Sequence, residues 1–366
     1  MSNLNPRWQG VRRLLAMRLA NIGDCLMTGP ALRAIRESLP DAHITLMVAP
    51  TARDAAPLLP WVDQVLTWRS LWQDMGDLPF DPSREFGLLQ TLQAQRFQAA
   101  IIFTSFAQTP LVAAYACYLA GIPLRLGEPK DFGGAVLSDQ PSTPTDVSAH
   151  QVERNLRLVE SIGVCTNDRS LSLSIPAAAM VRAGRLLEHH GLRPDSPYIL
   201  LNPWTSCQAR TYTHFGEAAR LLRQETGWPV VVTGTPRDLP SYRYLDAEIG
   251  GAIGLVGRTS LPELAALVSG ARLLLTNNTA TMHIADAVRT PQVVLFAGTE
   301  MEEQWAPRVG PALLLRRPTP CQPCYLLNCD RGQACLGIEP AEVAAAAMRL
   351  LSTAPMVTAP AHGAEA

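Results

Sequence analysis

Residues 271–296 read ARLLLTNNTATMHIADAVRTPQVVLF. The apolar stretch Leu273–Leu275 ends abruptly in Thr276-Asn277-Asn278-Thr279. A helical pattern with Met282, Ile284, Ala285 and Val288 on its apolar face follows at once. Thr290-Pro291 stops it, and a second apolar run, Gln292–Phe296, begins. The order is strand, polar turn, helix, strand. It sets a helix N-terminus at the end of a parallel strand. Such an end carries about half a positive charge and unpaired N–H groups, and so seats a phosphate or another anion. The chain is therefore expected to handle a phosphorylated ligand. His283 lies one turn into this helix, where a lone His is more often a structural hydrogen-bonder than a catalyst.

Three further loops carry groups of the same kind. Arg18-Leu19-Ala20-Asn21-Ile22-Gly23-Asp24 follows the first apolar run and precedes the first helical pattern. Gly23 permits a tight turn close to a ligand. Asp24 falls near the helix N-cap, where Asp needs no other role. It is equally a carboxylate placed to take a proton from a hydroxyl. Asn202–Arg210 contains Thr205, Ser206 and Arg210, a hydroxyl pair with a rigid fork of donors that suits a diphosphate. Gly234–Asp238 ends in an acid that can hold ribose hydroxyls or simply face solvent.

Cys321, Cys324, Cys329 and Cys335 are spaced C-x2-C-x4-C-x5-C. Four thiols so close suit a structural, tetrahedral zinc, although this is no standard ribbon spacing. Disulfide or redox chemistry and unliganded thiols stay open. A catalytic metal is not expected, because no His or carboxylate cluster accompanies them. The remaining cysteines, Cys25, Cys117, Cys165 and Cys207, are scattered and read as core thiols.

The elements that must position these loops alternate strand and helix. In the first half the strands are Val11–Met17, His43–Val48, Gln64–Leu66 and Ala99–Phe103. The helices are Leu26–Ser38, Ala52–Leu59, Leu88–Gln95, Leu111–Ala120 and His150–Ile162, with loops over 69–87 and 127–148. The pattern restarts with strand Tyr198–Leu201, helix Phe215–Thr226 and strand Val230–Thr233. A helix near Tyr242–Glu248, strand Gly254–Val256, helix Leu261–Gly270 and a last helix Pro340–Ser352 complete it. Two runs of β-α alternation predict two doubly wound, Rossmann-like α/β domains facing a central cleft. We divide them as 1–170 and 171–352, with an Ala/Pro-rich tail, 353–366, expected to be disordered.

The 366 residues, 47% hydrophobic and 17% charged, suit a soluble protein with a large core. A net charge of −1 argues against a general nucleic-acid binder. Lys130 is the only Lys among 31 basic residues, which reads as codon bias. The N-terminus lacks a long h-region, so a cytoplasmic protein is expected and the Asn277-Asn278-Thr279 sequon is discounted. Residues 97–124 carry no charge, yet Thr104, Ser105, Gln108, Thr109 and Pro110 interrupt them. A buried strand and a buried helix account for the run better than a membrane span.

Arg18–Asp24 with Thr28-Gly29-Pro30 resembles the N-terminal signature of the ADP-heptose:lipopolysaccharide heptosyltransferases, glycosyltransferase family 9. Thr276–Ala287 resembles that family's second signature, near S-x-D-T-G-x-x-H-x-A-A, and the likeness spans about residues 11–350. The resemblance implies a GT-B fold and an inverting transfer from a nucleotide-diphosphate sugar, typically ADP-heptose, that needs no metal or other cofactor. The implied acceptor is the lipopolysaccharide core or another lipid-linked or surface glycan, met in transient contact with the inner-membrane surface. By motif match Asp24 takes the general-base position, supported by Gly23, and Thr205, Ser206 and Arg210 take the donor-phosphate positions. Asp238 falls where a ribose-binding acid is expected, Thr259 in a base-contacting loop, and Thr279 and Ala280 at the Thr-Gly pair facing the diphosphate. His283 stands at the motif's His. Two departures, Asn278 for Asp and Ala280 for Gly, fall in the donor pocket. Three alternatives follow: a GT-B enzyme using another nucleotide sugar, a sugar-nucleotide epimerase, or a catalytically silent nucleotide-sugar-binding or assembly protein. An N-terminal excess of arginine (7, 12, 13, 18, 33 and 36) suits a phosphate-bearing acceptor or is ordinary surface charge.

Overall fold

The computed structural model describes residues 4–74, 76–193 and 195–353. The tail expected to be disordered lies, from residue 354 on, outside them. The chain divides into two units, Met1–Ser174 and Ile175–Ala366.

In unit 1 the strands are β1 (Arg13–Arg18), β2 (His43–Val48), β3 (Gln64–Thr67), β4 (Ala99–Ile102) and β5 (Leu124–Gly127). The helices are α1 (Ile22–Leu26), α2 (Gly29–Ser38), α3 (Pro82–Gln95), α4 (Leu111–Leu119) and α5 (Gln151–Glu160). All strand pairs are parallel, in the order β3-β2-β1-β4-β5. The chain leaves β1 in one direction to build β2 and β3, then returns to build β4 and β5. The reversal falls between β1 and β4, the place where such sheets bind ligands.

Unit 2 repeats the scheme with α6 (Ala177–His189), β6 (Ile199–Asn202), α7 (Phe215–Thr226), β7 (Val230–Val232), α8 (Leu239–Ile249) and β8 (Ile253–Gly254). There follow α9 (Leu261–Gly270), β9 (Leu273–Asn277), α10 (Ala280–Val288), β10 (Gln292–Leu295), α11 (Glu302–Trp305), β11 (Ala312–Leu315) and α12 (Pro340–Thr353). The order is β11-β10-β9-β6-β7-β8, with the reversal between β6 and β9. The central strands are apolar and buried: Ile199, Leu200, Val231, Val232, Leu273, Leu274, Val293 and Val294 are all fully covered. Continuous rather than alternating apolar strands are what a parallel sheet covered on both faces requires.

Several local expectations change. The single helix predicted over 26–38 is two pieces, α1 and α2, separated at Met27-Thr28, with Pro30 in the first turn of α2. α3 starts six residues before the predicted Leu88, because the Asp81 side chain accepts from the Ser83 N–H at 3.0 Å and Pro82 occupies the first helical position. Strands β5 and β11 and helix α6 have no counterpart in the sequence reading. β5 carries Arg125 in its middle, and the buried guanidinium is held by the carbonyls of Ile122, Pro123 and Val136. The charge-free stretch 97–124 is β4, α4 and the start of β5, and no helix among the described residues is long and apolar enough to cross a membrane.

Candidate active site

At the reversal of unit 1, β1 ends in Arg18, which is fully buried. Its Nη2 donates to Asp24 Oδ1 at 2.5 Å and to Ser105 Oγ at 3.0 Å. Ser105 follows β4, so the two strands flanking the reversal are tied through one guanidinium. Arg18 Nε and Nη1 are buried without a partner. Asp24 is not the cap of α1: the N-cap is Asn21, and Asp24 lies in the first turn. Gly23 makes no left-handed turn but sits inside the helix. That leaves the Asp24 carboxylate, 14% exposed, paired with a cation instead of with the backbone.

The loop after β4 is held from beneath. Gln151 Nε2 donates to the Thr104 carbonyl at 3.1 Å and to Asn155 Oδ1 at 2.9 Å. Asn155 Nδ2 donates to the Met27 carbonyl at 3.0 Å, which joins α5 to the end of α1. Beside Asp24, burial pushes the Cys25 thiol up to about 12, which makes it an inert core group. The N-terminal arginine excess is spent inside the unit. Arg7 pairs with Asp139, Arg12 with Asp41, Arg33 with Asp168 and Arg36 with Asp63, while Arg13 donates to the Gln95 carbonyl.

At the reversal of unit 2 the loops after β6 and β9 meet. Asn202 and Asn277 end those strands, both buried. Asn277 Oδ1 accepts from the Tyr212 N–H at 3.2 Å, and its Nδ2 donates to the Pro203 carbonyl at 2.6 Å. Asn202 Nδ2 donates to Thr233 Oγ1 at 3.1 Å, and its Oδ1 accepts from Thr281 Oγ1 at 3.2 Å. This polar layer stitches the ends of β6, β7 and β9 together beneath the loops. The sequence signal for it is a polar residue closing each apolar strand.

Most of the predicted donor residues lie in the loops that follow β6, β7 and β9. Thr279 is the N-cap of α10, with no side-chain cap on the helix and no acid in its first turn, and Ala280 is the first helical residue. The uncapped N-terminus is thus compatible with an anion. His283 is buried within α10. Arg210 closes a short turn after β6, and its Nη2 reaches Glu300 Oε1 at 2.6 Å. Glu300, after β10, was missed by the sequence reading, where it looks like one acid of a solvated loop. Asn278 is drawn to the same carboxylate, Nδ2 to Oε2 at 3.4 Å, and its Oδ1 accepts from the Ala297 N–H at 3.3 Å.

Thr205 is occupied otherwise. Its hydroxyl bonds the Cys207 carbonyl at 2.6 Å and Thr211 Oγ1 at 2.9 Å, and accepts from the Cys207 N–H, so it shapes the loop that carries exposed Ser206. Asp238 follows β7, and its Oδ2 accepts from the Thr235 N–H and hydroxyl, both at 2.7 Å, leaving Oδ1 outside this capping box. Thr259, half-buried, precedes the Ser260 cap of α9. The Gly257 N–H donates to the Gly234 carbonyl at 2.9 Å, which joins the Asp238 and Thr259 loops. Gly234 must lack a side chain, since a Cβ there would lie 2.3 Å from Trp204 Nε1.

Among the described residues no three His, Cys, Asp or Glu side chains are grouped to hold a metal ion. Cys329 Sγ accepts from the Arg331 and Gln333 N–H groups, each at 3.4 Å, so the chain closes on it as a turn. Cys321 faces the Thr319 hydroxyl at 3.4 Å, and all four thiols are free. The cysteine segment laces the loops after β6 and β10 together. Cys324 and Tyr325 N–H groups donate to the Gly298 and Thr299 carbonyls, and the Ala209 N–H donates to the Leu327 carbonyl at 3.0 Å. Gln333 Nε2 reaches the carbonyls of Gln208 and Thr211 at 2.6 and 3.1 Å.

A sequence model of glycosyltransferase family 9 (heptosyltransferase) matches residues 86–333. Lipopolysaccharide heptosyltransferase 3 of Escherichia coli K12 is 26% identical over 289 residues, covering 76% of this chain and 80% of that protein. Among solved structures, a family 9 glycosyltransferase from Veillonella parvula superposes with a TM-score of 0.77 at 19% identity, covering 96% of this chain and 100% of the other. The E. coli ADP-heptose lipopolysaccharide heptosyltransferase II superposes with a TM-score of 0.73 at 20% identity, covering 93% and 98%.

Proposed function

The chain belongs to glycosyltransferase family 9 and is a glycosyltransferase of the two-domain GT-B class, and from that premise we propose that it moves a heptose from ADP-heptose to a hydroxyl of a lipopolysaccharide-core acceptor, inverting the anomeric carbon. The observation that carries the reading is the Asp24 carboxylate. It stands at the sheet reversal of unit 1, bound by a buried guanidinium and not used as a helix cap. In this role Asp24 takes the proton from the acceptor hydroxyl as its oxygen attacks the anomeric carbon. The bond to the diphosphate breaks on the opposite face, and a single displacement inverts the centre.

The charge released on the nucleoside diphosphate is met by Arg210 and by the N–H groups at Thr279–Ala280. Ser206 adds a hydroxyl, Asp238 Oδ1 reaches ribose, and Thr259 lies toward the base. These cationic and N–H donors supply the electrostatic stabilisation that a metal ion gives other transferases, so the reading uses none. The enzyme would work in the cytoplasm, touching the inner membrane where its acceptor is anchored. The Asn278–Glu300 contact favours a second reading of the same site, in which the donor is a different nucleotide sugar.

The test is calorimetric titration with nucleoside diphosphates and nucleotide sugars, followed by product analysis with deacylated lipopolysaccharide core. Tight binding of ADP and ADP-heptose with heptose transfer supports the reading. Binding without transfer across a donor and acceptor panel would favour a sensor or scaffold, and turnover of donor alone to an epimer would favour an epimerase.

A further inference from the structure

Asn278 and Glu300 form a matched pair. The amide of Asn278 has a fixed sense, because Nδ2 faces the Glu300 carboxylate and Oδ1 faces the Ala297 N–H. An Asp at 278 would set a second carboxylate 3.4 Å from Oε2 of Glu300, where two like charges repel. A neutral residue at 278 therefore follows from the acid at 300. The carboxylate of this pocket sits beyond β10 and not at the end of β9.

Glu300 uses its two oxygens differently. Oε1 holds Arg210 Nη2, while Arg210 Nε is buried without a partner. The guanidinium thus keeps an unspent edge for phosphate oxygens. A carboxylate next to a phosphate-binding cation repels phosphate, and an ionised carboxylate can only accept hydrogen bonds. The ligand part it fits is a hydroxyl-bearing group joined to the diphosphate. The Glu300 side chain is 22% exposed.

We propose that Glu300 is the specificity-determining residue of the donor site. Its Oε2 accepts hydrogen bonds from hydroxyls of the transferred sugar, while its Oε1 aims the free edge of Arg210 at the diphosphate. The inference rests on the donor-site reading above. Replacing Glu300 should therefore change the preference for a sugar nucleotide over the bare nucleoside diphosphate, which a merely structural prop would leave alone.

The experiment titrates wild type, Glu300→Gln and the double variant Asn278→Asp/Glu300→Gln with ADP and with ADP-heptose by calorimetry, with a thermal melt for each. Glu300→Gln should hold ADP affinity within about threefold and lose about tenfold or more for ADP-heptose, as expected when a group that pairs with a ligand hydroxyl is changed. The double variant, which returns a carboxylate to 278 beside a neutral amide, should recover part of that preference. Equal losses for both ligands, or no loss for either, would overturn the proposal. Should Glu300→Gln not fold, Glu300→Asp gives the same comparison, with a larger loss for ADP-heptose than for ADP. If wild type binds neither ligand, the donor-site reading itself fails, and that outcome is separate from a wild type that binds both while the variants show no selective loss.

Discussion

The Arg18 guanidinium binds Asp24 at 2.5 Å from inside the core of unit 1, and the same nitrogen reaches Ser105 on the neighbouring strand end. In the proposed mechanism this buried, rigid partner is what fixes the direction of the Asp24 carboxylate. Asp24→Asn keeps the shape and removes the base. Turnover should fall at least about a hundredfold while ADP affinity stays near the wild-type value. Near-normal steady-state turnover of the variant would remove Asp24 from the mechanism.

Arg210 makes the complementary prediction in unit 2. Arg210→Ala removes the cation proposed to meet the diphosphate and the Arg210–Glu300 ion pair. ADP affinity should fall about ten- to a hundredfold, in line with charge-assisted hydrogen bonds to phosphate. Calorimetry with ADP reads this directly, and unchanged affinity would sink the clamp. Asp24→Asn and Arg210→Ala should therefore separate, one acting on turnover and the other on binding.

The residues on strand-end loops were legible because their loops interrupt strong apolar runs. Asp24, Arg210 and Thr279 follow β1, β6 and β9, and the run-then-break pattern marks each one. Glu300 was not legible, because its meaning depends on which strand lies beside β10. The parallel register that sets Leu295 opposite Asn277 brings residue 300 to Asn278, and no local pattern encodes that pairing. α6 was hidden for another reason. Its buried positions are Ala179, Ala183 and Leu187, a face too small in side-chain volume to stand out against an alanine-rich background. The cysteine spacing counts thiols but cannot show that the Arg331 and Gln333 N–H groups fold back onto Cys329 Sγ.

That cluster yields a prediction by alkylation. The Thr319 hydroxyl, and after it the Arg331 guanidinium, hold the Cys321 thiol below its ordinary range. Burial pushes Cys25 and Cys117 up to about 12. Iodoacetamide on the native, reduced protein should label Cys321 first, at a pH where a free cysteine is still mostly protonated, and leave Cys25 and Cys117 unmodified until unfolding. Mass spectrometry of timed samples gives the order. Simultaneous protection of all four clustered thiols from alkylation would overturn this order.

Glu128, at the end of β5, gives a prediction about acid stability. Burial pushes its carboxyl upward, but the Thr145 N–H, Lys130 and Arg154 outweigh burial and hold it below the usual carboxylate range. Arg154 is itself buried, donating to Glu128 and to the Asp146 carbonyl. A carboxyl depressed in the folded state contributes stability that is full above its unfolded value and is lost as pH falls through the folded value. Wild type should therefore lose stability progressively below about pH 4, the ordinary range of an unfolded Glu. Glu128→Gln strands the Arg154 charge and should cost about 3 kcal/mol at neutral pH. It should also flatten the acid limb of the stability curve, because the proton that wild type takes up there has no counterpart in the amide. Urea melts of both proteins across pH 3–7 measure the cost and the slope together. Parallel acid limbs would show that Glu128 is not the group whose protonation loosens unit 1.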